Sequence, residues 1–464
     1  MSNTPTEKDG AIYDAKQLGI PKMLVLGLQH MFAMFGATIL VPILVNSYFH
    51  GEGLSIQVTL FFAGVGTLFF HICAKLKVPA FLGSSFAFLG GFATVAELNS
   101  GIFANMTYGE KLPYACGGIV VAGLLYLVLA LVIRLVGVKR VMRFLPPIVT
   151  GPIIICIGLS LAGSAINNAQ TNWFLALVAL IVIIVFNIWG KGMFKIIPIL
   201  MGVLISYAVA LAMQFAGMTN PDGSAIIDFT STASSAWVGL PDFILCKFNL
   251  TSVLVMAPIA IATMMEHIGD MSAISATVGE NFLEDPGLHR TLIGDGLATS
   301  LSAFFGGPAN TTYGENTGVL ELSRVFDPAV IRIAAVYAVV LSFVPKFASI
   351  IGSMPASIIG GVSFILYGMI SAIGIRNVVE NRVDLTNSRN LIIAAVILVC
   401  GLGFSSGLTF EIAGTSITLT SLAIASIAGV LLNAILPGND YEFGVNPEGD
   451  MNRGVTLKAR HRKD

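Results

Sequence analysis

The feature that most limits what this 464-residue chain can fold into is an apolar run of about 20 residues that recurs along nearly its whole length. Leu24–Val45, Val120–Leu135, Phe174–Ile188 and Leu391–Leu402 with its flanks are examples. One such run fits a soluble core, but a long series of them fits a bilayer whose hydrocarbon layer is roughly 30 Å thick. Composition agrees, with 55% hydrophobic and 11% charged residues against about 25% charged in an average soluble chain. The expected fold class is an all-α polytopic membrane protein with the lipid bilayer as its surroundings. A formal net charge of -1, and no compact basic patch apart from the tail KARHRKD, argue against a nucleic-acid partner. Residues 1–21 are polar, mixed in charge and followed by a span too long for a signal h-region, so no cleavable signal is expected and the N-terminus should stay in the cytoplasm. Cys73, Cys116, Cys156, Cys246 and Cys400 are scattered without CxxC spacing and read as packing residues.

About fourteen spans are predicted, near 22–47, 55–76, 79–97, 115–136, 145–166, 172–190, 195–216, 250–276, 291–306, 308–323, 329–350, 355–374, 389–406 and 414–436. With the N-terminus inside, all basic residues except Lys111, Lys247 and Lys346 fall on the inner side, which puts both termini in the cytoplasm. A Ser/Thr/Asp-rich outer loop, 217–249, divides the chain near its middle. Seven spans on either side of an outer loop have opposite orientations, the arrangement of an inverted repeat. Three internal matches support it. PIVTGPIIICIGLSLAG (147–163) resembles PASIIGGVSFILYGMISAIG (355–374); PAFLGSSFAFLGG (79–91) and PANTTYGENTG (308–318) are both interrupted by Gly, Ser and Thr; and Gln29–His30 and Glu266–His267 both place polar pairs in apolar helices.

The interrupted segments are the functional pointer. Non-helical backbone at membrane depth survives only when buried in protein or lining a cavity. GSS at 83–85 and NTTYG at 310–314 suit short extended segments interrupting spans 3 and 10, each followed by a half-helix whose first N–H groups, at Phe86 and at Gly314–Glu315, face a central cavity. Gly314 and Gly318 are expected to tolerate bulk badly. In MMEHIGDMSA, Glu266 and Asp270 share a helix face, with His267 about 100° away. Glu266 and Glu315 are expected to be binding residues, because ionisable groups inside spans are costly. His267 reads as a packing histidine, Asp295 as either a site partner or a cap to the cluster, and His71 as interfacial and inert. Two carboxylates suit a ligand with two N–H donors whose carbonyls meet backbone N–H groups. A planar pyrimidinedione such as uracil has this pattern, with Phe86 and Tyr313 at its ring faces. The chemistry stops at that ligand class.

QHMFAMFGATILVP (29–42), PAFLGSSFAF (79–88), EHIGD (266–270), DPGLHR (285–290), FFGGPANTTYGENTGV (304–319) and GGVSFILYG (360–368) resemble the nucleobase–ascorbate (nucleobase:cation symporter-2) family, in particular its bacterial uracil permeases. The family signature appears as ENTGVLELSR (315–324), with Ser323 in the usual Thr place. The resemblance implies fourteen spans in two inverted seven-span repeats. Its expected division is a cytoplasmic segment 1–21, a core at 22–144 and 250–350, a gate at 145–216 and 351–437, the extracellular loop 217–249 and a cytoplasmic tail 438–464. It implies uptake of a nucleobase, uracil foremost, into a bacterium across the inner membrane, with the proton as coupling ion and no cofactor. Glu266 and Glu315 match the uracil-binding carboxylates, Phe86 and Gly314 backbone or ring contacts, and His30 a supporting histidine. His30, Glu266, Asp270 and Asp295 are the expected proton-coupling set. Asp270 and Asp295 resemble the xanthine branch, whereas Glu315 favours uracil. Assembly as a homodimer is left open. The alternatives are a xanthine or other nucleobase symporter and an anion carrier of the sulfate or bicarbonate type; the latter calls for a cation at the half-helix N-terminus, where Glu315 stands. An intramembrane enzyme is disfavoured because EHIGD lacks the second His of HExxH.

Overall fold

A computed structural model of the chain describes residues 11–412, 415–438 and 441. Residues 1–10 of the N-terminal segment and most of the tail 438–464 lie outside the described residues. A 3-10 turn, Ala15–Leu18, leads into α1 (Ile20–Tyr48) and α2 (Ile56–Cys73). A three-residue strand, β1 (Leu82–Ser84), precedes the short α3 (Leu89–Ala96), and α4 (Tyr108–Val136) follows. Next come α5 (Val138–Met142), α6 (Pro147–Ser160), α7 (Ala162–Ala169), α8 (Trp173–Trp189), α9 (Met193–Ile196) and α10 (Pro198–Phe215). The middle loop contains α11 (Thr230–Ser234). Beyond it are α12 (Leu250–Met256), α13 (Ala260–Val278), α14 (Leu288–Phe304), β2 (Asn310–Thr312), α15 (Gly314–Ser323), α16 (Pro328–Ser342), α17 (Pro345–Gly352) and α18 (Ala356–Glu380). The last elements are α19 (Ser388–Gly403), β3 (Leu408–Ile412), β4 (Thr415–Leu419) and α20 (Ser421–Ile435).

Each of the predicted segments holds a helix, a broken helix, or a strand with a half-helix. Among the described residues, seven helical stretches are long and apolar enough to cross a membrane, and an eighth if the bent pair α16–α17 counts as one. Packing forms two sets. In the first, α14 lies against α4 and α2, and α16 against α2 and α1; in the second, α18 lies against α6, α7 and α8, and α19 against α6 and α20. Small residues make these contacts close, as expected where lipid tails compete with side chains for apolar surface. A Cβ on Gly123 of α4 would stand 2.5 Å from the Gly296 carbonyl of α14, and one on Gly374 of α18 would stand 2.7 Å from the Gly151 carbonyl of α6. Helices α6 and α18, matched as repeats in the sequence, thus pack on each other.

Two segments depart from expectation. The predicted span 329–350 bends by 87° between α16 and α17, because Pro345 has no N–H to continue the ladder and drives Val344 out of the helical region, to φ -114 and ψ 84. The predicted span 414–436 is helical only from Ser421; residues 415–419 pair antiparallel with 408–412. Alternation of Thr, Ile and Leu there satisfies a strand's two-residue period, which an average over an apolar window does not distinguish.

Candidate functional site

At the centre of the first packing set the two interrupted segments cross. β1 and β2 pair antiparallel, Leu82 opposite Thr312, Gly83 opposite Thr311 and Ser84 opposite Asn310. Helices α2 and α14 lend hydroxyls to this buried backbone, and strand side chains in turn bond carbonyls of α1 and α2. Thr67 of α2 accepts from the Leu82 N–H at 2.9 Å, Thr299 of α14 accepts from the Asn310 N–H at 3.1 Å and donates to the Asn310 carbonyl at 3.0 Å. Ser84 donates to the Thr38 carbonyl of α1 at 3.0 Å, and the Asn310 amide to the Phe62 carbonyl at 3.1 Å. These bonds replace the water that extended chain has elsewhere. The Tyr313 ring covers Gly83, where a Cβ would come within 2.3 Å of it, and its hydroxyl donates to the Ser84 carbonyl at 2.9 Å. Gly83→Ala is therefore expected to wedge the crossing open and destabilise the protein by about 1–3 kcal/mol, the usual cost of overpacking; a thermal unfolding scan in detergent checks it.

The carboxylates stand around this crossing. Glu266 and Asp270 lie one turn apart on α13 and face β2. Thr312 donates to Asp270 at 2.7 Å, and Thr311 reaches Glu266 at 3.5 Å, the outer limit of a hydrogen bond. Glu315 is the second residue of α15, among the first N–H groups of that half-helix, and lies in electrostatic reach of Glu266. Asp270 is buried, whereas Glu266 and Glu315 are both partly exposed. Glu315 lines a cleft with Phe32 and Ala33 of α1, Ile199 and Leu200 of α10, Lys195 of α9 and Met369 of α18. The cleft therefore runs between the two packing sets. Phe86 meets Tyr367 of α18 edge-on across the same divide, with ring centroids 5.9 Å apart. A Cβ on Gly314 would meet only Ile373 of α18, at 3.4 Å, and one on Gly318 would meet nothing within 4 Å. The expected intolerance of Gly318 to bulk is thus corrected, since its α-carbon faces open cleft. Gly314 has room for a methyl group but not for a branched side chain without displacing Ile373.

Other expectations change with the geometry. Tyr313 was expected at a ligand ring face, but its ring is buried over Gly83 and its hydroxyl bound, so it braces the crossing. Asp295, on α14, lies in electrostatic reach of Glu266 and Asp270. Its direct partner is His267 Nδ1, at 2.9 Å, and both side chains are fully buried. His267 is accordingly a packing histidine with an acidic partner. His30 is buried and held by Asn316, whose amide donates to the His30 carbonyl at 3.1 Å and lies 3.3 Å from its Nδ1, which ties α1 to α15. His71 is buried rather than interfacial, its Nε2 sitting 2.8 Å from the Ala80 carbonyl ahead of β1. Sequence reasoning missed Thr311, Thr312 and Asn316 as direct partners of the acids and of His30; the two threonines are adjacent yet both reach acids of α13, which the two-residue period of a strand gives no reason to expect. It also missed Tyr126 of α4, buried within electrostatic reach of Asp295, Glu266 and Asp270. Nothing distinguishes this tyrosine within its apolar run.

This arrangement, two broken spans crossing beside buried acids, has relatives. A model of the Permease family matches residues 21–410. The chain belongs to that family. It is the nucleobase:cation symporter-2 family that the motifs implied, and the protein is a permease, not an enzyme. The permease is 41% identical over 434 residues to a uracil permease of Bacillus caldolyticus, covering 90% of this chain and 93% of that one. It is 39% identical over 429 residues to a uracil permease of Bacillus subtilis, covering 88% and 91%. Among solved structures, the transmembrane domain of the cyanobacterial bicarbonate transporter BicA superposes with a TM-score of 0.60 at 14% identity, over 90% of the permease and 99% of that domain. That likeness shows a shared fold with core and gate parts. The permease is an integral inner-membrane protein.

Proposed function

We propose that this permease takes up uracil across the bacterial inner membrane by alternating access, driven by protons. The observation that carries the proposal is that Glu266 and Glu315, from α13 and the half-helix α15, are the partly exposed acids beside one strand crossing. Two carboxylates accept from the two N–H groups of a pyrimidinedione, while the first N–H groups of the half-helices donate to its carbonyls. Uracil permeases align with nearly the whole chain, which supports the same substrate. An anion carrier of this fold is opposed by Glu315 at the half-helix N-terminus, where an acid repels what the helix dipole attracts. Glu266, Asp270 and Glu315 supply the protonatable groups, with His30 and the His267–Asp295 pair as supports. No cofactor is needed for this chemistry. Residues 22–144 and 250–350 form the moving core, 145–216 and 351–437 form the gate, and both termini lie in the cytoplasm, as the distribution of basic residues supports.

Uptake of labelled uracil into cells lacking their own uracil transport tests the reading, with xanthine and sulfate as competitors. Saturable uptake that excess sulfate leaves unchanged is expected. Competition by xanthine as strong as by unlabelled uracil would shift the substrate to the xanthine branch, and sulfate transport without uracil uptake would replace the proposal by the anion carrier.

A further inference from the structure

The segment before the first membrane helix reaches each of the three helices that present the site's key groups. Ile12 forms a parallel bridge with Val325, directly after α15: its N–H donates to the Arg324 carbonyl at 2.8 Å, and its carbonyl accepts from the Phe326 N–H at 2.8 Å. The Tyr13 hydroxyl donates to the Val278 carbonyl, the last residue of α13, at 2.8 Å, and its ring packs on Phe326 with centroids 5.5 Å apart. The Ala15 N–H donates to Asp327 at 2.8 Å. Ala15, Val325 and Val330 close over a small apolar cluster, flanked by Ile12, Leu18, Met23 and Leu26, before the chain enters α1.

We infer that residues 11–18 form a strap that positions the half-helix α15, with Tyr13 as the positioning residue that fixes Glu315 relative to Glu266. At its N-terminal end α15 is held by the β1–β2 crossing. Its other end turns at Arg324, which adopts a left-handed φ of 53, and the Ile12 bridge begins there. A ten-residue helix isolated in sequence between a strand and a turn is not stable alone, so its ends set its position. Tyr13 joins the same strap to the end of α13, which carries Glu266 and Asp270. The strap thus defines the spacing of the two acids from the end opposite the strands, without touching a ligand.

The uracil arm of the test rests on the proposed function; the other arm does not. In the full-length protein in detergent, Tyr13→Phe removes the bond to Val278 and keeps the ring on Phe326, and Ile12→Pro removes the N–H that pairs with Arg324. Losing a hydrogen bond of ordinary strength should raise amide exchange across residues 314–323 about fivefold in each variant while leaving α2 unchanged. Uracil binding should weaken by a similar factor, about fivefold. Unchanged exchange over 314–323 in both folded variants overturns the strap. Faster exchange with unchanged uracil affinity overturns its positioning role. If the unaltered protein binds no uracil, the proposed substrate falls and the exchange result alone decides the inference.

Discussion

Glu315→Gln is expected to abolish measurable uracil uptake in protein that still folds. A carboxylate accepts at both oxygens, whereas the amide accepts at one and presents an NH2 where the ligand presents N–H. The change removes a hydrogen bond to a charged group and leaves a donor facing a donor, a combined cost of about 2–4 kcal/mol, or roughly 30- to 1000-fold in affinity. Nothing in the packing should fail, because Glu315 is partly exposed to the cleft and the neutral side chain has the same shape. Calorimetric titration with uracil, beside a size-exclusion profile in detergent, separates lost binding from lost fold. The resemblance noted in the sequence implies Gln as the usual residue here in the xanthine branch, so the variant should also be titrated with xanthine; residual binding is expected to shift toward it. Uracil affinity at the unaltered level would remove Glu315 from the site.

The same residue illustrates what the sequence makes legible. Glu315, Glu266 and Asp270 stand out because a charge inside an apolar run is costly, and because a four-residue spacing fixes a shared helix face. The strand crossing was readable for a related reason: GSS and NTTYG are poor helix formers at membrane depth, and only pairing satisfies their backbone. The wall that each crossing residue faces was not readable. Tyr313 follows β2 by one residue, and its ring goes to whichever side has space, which the missing Cβ of Gly83 on the other strand decides. Asp295 and His267 are 28 positions apart on different helices, so their pairing depends on how α13 lies on α14 and leaves no local pattern. Gly318 shows the reverse error: a glycine in a signature is easily assigned to close packing, when its open side is part of the cleft. The bend before Pro345 was locally encoded but was outweighed by the hydropathy of the run.

Glu266→Gln is expected to separate substrate movement from proton movement. Glu266, Asp270 and Glu315 lie close enough to interact electrostatically, in surroundings where charge is poorly screened. Adding a proton to this cluster removes one negative charge, lessens the mutual repulsion and supplies a donor that can meet a uracil carbonyl. Proton and uracil should therefore each favour the other's binding. By reciprocity the same coupling free energy, typically about 1–3 kcal/mol, lets an inward proton gradient accumulate uracil. The sign follows: uptake by the unaltered permease should rise as outside pH falls and collapse when a protonophore dissipates the gradient. With Gln at 266 the cluster has lost one titrating group, so the folded variant should equilibrate uracil without accumulating it and lose its dependence on outside pH. Asp270→Asn should act in the same direction but more weakly, because Asp270 is already engaged by Thr312 at 2.7 Å and lies deeper than Glu266. If these acids only held the core helices together, the variants would misfold instead, and the size-exclusion profile would show it. Uptake in sealed vesicles that requires sodium and resists the protonophore would reject the proton as driving ion, and the acids would then have to be read as a sodium site whose affinity rises as they lose their protons.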